Sequence, residues 1–257
     1  MTGKVFLIGA GPGDPELMTM RAVRMLKEAT CVVYDRLVSQ DIIDMAAKDA
    51  KMIFVGKMPK CHAASQDQIN QILLEQAQAG HVVARLKGGD PLIFGRGSEE
   101  AAFLTTHGVA VEYAPGITAA QGVASVTGVP LTHRGLATGV QYVTGHRQAD
   151  QTLDLDWKRL ANPDCTLVVY MGVANIGKIA VGLMTEGLPE STPVMAVAAA
   201  TTPNEKRMIS RLDSIAADTR DAGLVAPVLF FIGKVVSLYQ DVPVADIQPD
   251  LAVAAHG

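Results

Sequence analysis

Cysteine is scarce in this chain. The three thiols, Cys31, Cys61 and Cys165, lie far apart and form no C-x-x-C pair, so neither a disulfide framework nor a zinc site is suggested. Cys31 and Cys165 border apolar runs, where core packing is the ordinary role. Aromatic residues are also few, at 5% of the sequence, although 49% of its 257 residues are hydrophobic. A core of Ala, Val, Leu, Ile and Met suits sheets covered by helices better than an all-β sandwich. A basic surplus is missing as well: 22 Lys and Arg against 26 Asp and Glu leave a net charge of -4, which argues against a protein that coats nucleic acid or an anionic membrane. No stretch approaches the roughly 20 consecutive apolar residues of a membrane span. Met1 leads at once into a strand-like run without a basic-then-apolar leader, so a cytoplasmic location is expected.

What is present is an α/β pattern. Residues 5–8, 31–34, 52–55, 82–86 and 109–113 are short apolar or β-branched runs separated by helical spacing or loops, and predict a five-strand unit. Ser65 followed by Gln68 reads as a capping box that opens a helix with an apolar stripe at Ile69, Ile72, Leu73 and Ala77, closed by Gly80. Another helix is predicted over residues 15–29, with Pro15 in its first turn and Met18, Met20 and Met25 as core.

Pro115-Gly116 breaks the pattern, and a second series of strands follows at residues 141–144, 167–170, 194–198, 208–212 and 228–232. The expected domains are therefore 1–114 and 115–243, both α/β, with 244–257 a flexible tail. A helix over 117–127 opens the second domain. Between 194–198 and 208–212 a crossover helix has no room, so that pair is expected to be antiparallel and its sheet mixed.

The first strand runs into Gly9-Ala10-Gly11-Pro12-Gly13-Asp14, where glycines permit a tight turn and close backbone approach to a ligand. Asp35 ends the second strand near the place of a ribose-binding carboxylate. Two details weigh against a nicotinamide site. The last glycine of G-x-G-x-x-G would fall on Asp14, and Pro12 removes a backbone N–H from any pyrophosphate cradle. On pattern alone a dinucleotide site and a purely structural turn both stay open.

Further segments stand in order along nearly the whole chain. They are Val32-Val33-Tyr34-Asp35-Arg36-Leu37-Val38, Val55-Gly56-Lys57, the block 85–100 (RLKGGDPLIFGRGSEE), Pro115-Gly116-Ile117-Thr118-Ala119, Gly128-Val129-Pro130-Leu131-Thr132-His133-Arg134 and Tyr170-Met171-Gly172. With the glycine-rich start, this ordered set resembles the tetrapyrrole methylases. The block 85–100 and the Tyr-Asp-Arg and Leu-Thr-His-Arg segments favour the branch acting on uroporphyrinogen III over later precorrin methylases and RNA methylases.

The resemblance implies a fold of the class III S-adenosylmethionine methyltransferases: two α/β domains with the active site in the cleft between them, the first on the substrate side and the second on the cofactor side, as a homodimer. It implies a reaction in which S-adenosyl-L-methionine gives two methyl groups to C2 and C7 of uroporphyrinogen III. The products are precorrin-2, a precursor of sirohaem and cobalamin, and S-adenosyl-L-homocysteine; no metal and no nucleic acid take part. Carried over motif by motif, the cofactor set is Pro12, Gly88, Gly89, Asp90, Ile93, Thr118, Ala119, Met171, Ala200, Ala226 and Pro227. Ala200 stands where the family often has Gly, a change that a backbone contact survives.

Chemistry supports these places. Two glycines at 88 and 89 admit close backbone approach, and Asp90 can attract the cofactor's ammonium. A substrate with eight carboxylates needs cationic donors, and Arg36, Arg96, His133 and Arg134 fall in matched loops, with His146-Arg147 a weaker candidate. Taken singly, each is an ordinary solvated side chain. Glu99, one turn after Arg96, can orient that arginine or meet a pyrrole N–H. Arg96 suits a carboxylate clamp, since guanidinium is too hard to deprotonate to serve as a base. The family pattern offers Asp35 as proton acceptor and Lys57 as proton donor. Asp35 as a structural carboxylate, paired with Arg36 or a helix mouth, is the competing reading. A nicotinamide-dependent oxidoreductase and a non-catalytic binding protein are the competing functions.

Overall fold

A computed structural model describes residues 3–56, 65–146 and 153–240. The first sheet holds β1 (Lys4–Gly9), β2 (Cys31–Tyr34), β3 (Lys51–Phe54), β4 (Val82–Lys87) and β5 (Ala110–Ala114). All pair in parallel, in the order β3-β2-β4-β1-β5. Along the chain between them run α1 (Met20–Glu28), the single turn α2 (Gln40–Ile43), α3 (Gln66–Gln78) and α4 (Gly97–Thr106).

Strands covered on both faces must be apolar on both faces, and this is why the runs were nearly continuous in sequence. Phe6, Ile8, Val32, Ala84 and Leu86 pack with Met25 and Leu26 of α1 and Ile42 of α2. Val5, Leu7, Val33 and Val83 face the other way, onto Ile69 and Leu73 of α3 and Ala101 and Leu104 of α4. The two-residue period then carries β4 onward from Val83 to Arg85 and Lys87 on that second face.

The capping box of α3 is present: Gln68 N donates to Ser65 Oγ, and Ser65 N donates to Gln68 Oε1 at 2.7 Å. The predicted helix over 15–29 is corrected. Pro15–Leu17 is a 3-10 turn, Met18 and Thr19 are extended, and α1 starts at Met20 because Thr19 Oγ1 accepts from Ala22 N at 3.2 Å. Met25 and Met18 are core, although Met18 lies ahead of the helix, whereas Met20 is 90% exposed.

The second sheet follows α5 (Ala119–Thr127). Its elements are β6 (Gly139–Thr144), α6 (Trp157–Leu160), β7 (Cys165–Tyr170), α7 (Ile176–Thr185), β8 (Pro193–Ala198), β9 (Lys206–Arg211), α8 (Ile215–Asp221) and β10 (Val228–Ile232). The order is β6-β7-β10-β8-β9, parallel for β6 with β7 and antiparallel elsewhere. The mixed sheet and the antiparallel β8–β9 pair are as the short connection requires. Leu167, Val169, Phe230 and Ile232 form its core with Ile179 and Leu183 of α7.

The described residues pack as two units. One draws on Met1–Gly122 together with Ala199–Glu205, the other on Val123–Ala198 and Lys206–Gly257. Against the expected change at Pro115, packing thus carries the first unit on to Gly122 and adds the segment between β8 and β9. The expected tail 244–257, like Cys61 and Arg147, lies outside the described residues.

Candidate functional site at the carboxyl ends of the first sheet

In the first sheet the chain leaves β1 and β2 for helices on one face, while it leaves β4 for α4 on the other. Such a reversal between neighbouring strands opens a crevice at their carboxyl ends, where open α/β sheets bind ligands. β4 lies between β2 and β1, so the loops after these strands meet around its end.

Three stretches of backbone converge there. Gly11 and Gly89 exchange hydrogen bonds, Gly11 N to Gly89 O at 3.2 Å and Gly89 N to Gly11 O at 2.7 Å. Asp90 ties the loop after β4 to the one after β5: its Oδ1 accepts from Leu92 N at 2.8 Å and its Oδ2 from Gly116 N at 3.0 Å. A Cβ on Gly116 would land on the Gly89 carbonyl oxygen, and one on Gly9 would stand 2.5 Å from Gly116 N. Glycine is therefore enforced by space where β1 and β5 end, and Gly89 after β4 has a left-handed φ of 69°, so the result is bare backbone.

Asp90 was expected to face an ammonium, and its first duty here is to hold this junction. Each oxygen keeps a further lone pair, so holding the loop and attracting a cation are compatible. At the mouth of α5, Thr118 N donates to Gln121 Oε1 at 3.0 Å and Gln121 N returns a bond to Thr118 Oγ1 at 3.2 Å. Thr118 is buried and Ala119 half-buried.

The same geometry removes the dinucleotide reading. A pyrophosphate cradle needs a helix N-terminus directly after the glycine-rich loop. Here that loop is followed by the 3-10 turn capped by Asp14, whose own N–H is taken by Thr201 Oγ1 at 3.2 Å, and α1 starts only at Met20.

Asp35 follows β2 on the α3/α4 face, two residues beyond Val33. Its Oδ1 accepts from Leu37 N at 3.0 Å and its Oδ2 from Arg85 Nη2 at 3.2 Å. The chain at Leu37 lies against Gly88, where an added Cβ would come within 2.9 Å of Leu37 Cβ, and Ser39 Oγ donates to Gly13 O at 2.8 Å. Asp35 is thus fixed beside the glycine junction. Its partner is Arg85 and not the neighbouring Arg36, which is exposed.

Behind Asp35 lies a buried charge network. Arg85 Nε donates to Glu100 Oε1 at 3.3 Å, Lys87 Nζ to the same oxygen at 2.7 Å, and Gln66 Nε2 to it at 3.2 Å. Glu100 is fully buried, and its Oε2 has no hydrogen-bond partner among the described residues. Burial, and next the Arg85 charge, push the Lys87 ammonium below its ordinary range, with Glu100 opposing them. Arg85, Lys87 and Glu100 did not stand out as site residues in the sequence, where the signal was two cations at strand spacing inside a buried run.

With this geometry in hand, comparison with known proteins identifies the lineage. The family model "Tetrapyrrole (Corrin/Porphyrin) Methylases" matches residues 4–216. The chain belongs to the tetrapyrrole methylases. It is 50% identical to the uroporphyrinogen-III C-methyltransferase of Paracoccus denitrificans, over 99% of this chain and 90% of that protein. A sirohaem synthase of Nitrosomonas europaea is 47% identical over 93% of this chain, which spans 50% of the length of that protein. Among solved structures, a uroporphyrin-III C-methyltransferase from Thermus thermophilus complexed with S-adenyl homocysteine is 43% identical, with a TM-score of 0.79 over 92% of this chain and 100% of the other.

In this methylase Arg96 forks onto Glu99, with Nε to Oε1 at 3.0 Å and Nη2 to Oε2 at 2.6 Å. Each raises the other's preference for the charged form, so Arg96 titrates above and Glu99 below the ordinary range, in a setting open to solvent. Arg96 has a left-handed backbone, φ 58°, as have Phe94, Met171, Ala199 and Thr201. Backbone strain in non-glycine residues gathers at functional sites, and all five of these residues are candidate positions or adjoin one. Ile93 lies in the exposed apolar run from Leu92 to Phe94. Pro12 and Ala200 are half-buried in the first unit.

The second unit holds the remaining described candidates of the methylase. His133 and Arg134 are exposed on a tight turn closed by His133 N to Ala137 O at 3.0 Å. Met171 is 51% exposed just past β7, and Ala226 and Pro227 are exposed ahead of β10. His146 is exposed after β6. Lys57 lies outside the described residues.

Proposed function

We propose that this methylase transfers two methyl groups from S-adenosyl-L-methionine to C2 and C7 of uroporphyrinogen III, giving precorrin-2 and S-adenosyl-L-homocysteine, for sirohaem or cobalamin synthesis. The observation that carries the reading is the side-chain-free junction of Gly9, Gly89 and Gly116 with the fixed carboxylate of Asp35 beside it. A cofactor carrying an amino-acid moiety but no pyrophosphate suits such a place, because bare backbone there offers close approach and no helix N-terminus follows the glycine-rich turn.

Pro12, Gly88, Gly89, Asp90, Ile93, Thr118, Ala119 and Ala200 form the proposed cofactor set in the first unit; the motif matches add Met171, Ala226 and Pro227. Bound S-adenosyl-L-methionine supplies a methyl group on a sulfonium, open to displacement by an electron-rich pyrrole carbon. Holding the substrate in register is then much of the catalytic task. Arg36, Arg96, His133 and Arg134 are assigned to its carboxylates, with Glu99 orienting Arg96. As the new carbon–methyl bond is completed, a proton must leave the macrocycle, and Asp35 is assigned as its acceptor, a reading supported by a carboxylate fixed by Leu37 N and Arg85. Lys57 keeps its motif assignment as proton donor. A homodimer in the cytoplasm completes the proposal; among the described residues no helix is long and apolar enough to cross a membrane.

Incubation of the protein with uroporphyrinogen III and S-adenosyl-L-methionine is expected to yield a product heavier by two methyl groups in mass spectrometry. No mass increase with active substrate would refute the assignment. Asp90→Ala unpins Leu92 N and Gly116 N together, so affinity for S-adenosyl-L-homocysteine by calorimetry is expected to fall at least about tenfold, as lost charge-assisted bonds dictate. Wild-type affinity in that variant would sink the place given to Asp90.

A further inference from the structure

The buried charges behind Asp35 have no evident structural need. β4 is otherwise an apolar strand between two apolar strands, and hydrophobic residues of similar volume in place of a buried ion pair usually leave a fold as stable or more so. The network is also directional. The side chains of Glu100, Arg85 and Lys87 are 0%, 4% and 6% exposed, while that of Asp35, at its end, is 25% exposed.

Arg85 makes the connection. Its guanidinium is held from three directions, by Nε to Glu100, by Nη1 to Leu86 O at 3.0 Å and by Nη2 to Asp35. A planar fork with three partners cannot rotate without losing one of them. Lys87 and Gln66 share the other end, on Glu100 Oε1, and so fix the anchor itself.

We propose that Arg85, anchored by Glu100 and Lys87, is a positioning residue that holds the Asp35 carboxylate at the angle needed to take the substrate proton. The proposal rests on the reading of Asp35 as proton acceptor. Guanidinium does not give up its proton, so Arg85 passes none onward and acts through orientation alone. Leu37 N fixes one Asp35 oxygen and Arg85 the other, and the two bonds together define the plane of the carboxylate. A lysine at position 85 would keep the charge but place a single ammonium where two carboxylates must be bridged.

The test is a double-mutant cycle read in turnover, with wild type, Arg85→Lys, Asp35→Asn and the double variant. Arg85→Lys is expected to lower kcat about tenfold or more while affinity for S-adenosyl-L-homocysteine and KM for uroporphyrinogen III change less than about twofold. In the Asp35→Asn background the same change is expected to cost less than about twofold, because the group it positions is already gone. An equal loss in both backgrounds, or no loss in either, overturns the proposal and leaves the acceptor role of Asp35 intact. Full turnover by Asp35→Asn alone overturns the acceptor role, and this proposal with it. If Arg85→Lys does not fold, Glu100→Gln keeps the shape of the anchor: a roughly threefold loss of kcat that vanishes in the Asp35→Asn background supports the proposal. A loss that persists there overturns it.

Discussion

Glu100→Ala is expected to lower the unfolding free energy by roughly 3–5 kcal/mol, the range for removing one member of a buried ion pair. The side chain is fully buried, and its Oε1 receives Arg85, Lys87 and Gln66. Its deletion leaves two cations in the core with the partly exposed Asp35 as the nearest counter-charge. The loss should depend on pH in a definite sense. Lys87 already titrates below its ordinary 10.5, by burial first and the Arg85 charge second, and Glu100 is what pulls it back. Without Glu100 the folded state binds that proton still less readily than the unfolded state does. Stability then rises with pH wherever the unfolded chain holds more protons, which for this group is the window below about 10.5 and above its lowered folded value. Urea denaturation at neutral and alkaline pH measures both effects, and should show the deficit of Glu100→Ala shrinking as pH rises. A neutral-pH loss within about 1 kcal/mol, the size of an exposed pair such as Arg96–Glu99, would mean that the network is hydrated and carries little.

The strands of this methylase could be located in the sequence because most of them are buried on both faces. β2 and β10 occupy the residues anticipated, and the other strands differ at their ends, where pairing and not side-chain pattern sets the limit. The mixed second sheet was legible for a different reason: the link between β8 and β9 is too short for a crossover. The sequence pattern predicts too long a first helix because apolar residues continue through Met18, and nothing but the Thr19 side chain reaching Ala22 N shows where the helix begins. Site residues divide along the same line. The bare-backbone loop of Gly88, Gly89 and Asp90 was legible in local sequence, as was the Arg96–Glu99 fork, an i,i+3 pair on one helix end. Arg85 and Lys87 become meaningful only when β4 lies against α4, since their partner Glu100 is a long-range contact. The period of β4 placed them inside, and the identity of that partner had to come from packing.

Asp35→Asn is expected to reduce kcat roughly 100- to 10,000-fold, the span general acid–base groups contribute, while affinity for S-adenosyl-L-homocysteine stays within about twofold. The split follows from where the residue acts. Asp35 stands beside the glycine junction but takes no part in it, since Asp90 and the Gly11–Gly89 bonds hold those loops together. An amide of the same size can still accept from Leu37 N or from Arg85, though not from both, because its nitrogen is a donor. It cannot accept a substrate proton and become neutral, as a carboxylate does. Stopped-quench measurement with an excess of enzyme separates the two methylations and shows whether the slow step lies after methyl transfer, where an acceptor acts. A variant that turns over like wild type would return Asp35 to a structural role, as the carboxylate that neutralises Arg85. One that loses turnover and cofactor affinity in equal measure would instead place Asp35 in the binding framework. The acceptor assignment predicts the asymmetric result, because a carboxylate with one oxygen on backbone, the other on a buried guanidinium and an edge still open to solvent is oriented before substrate arrives.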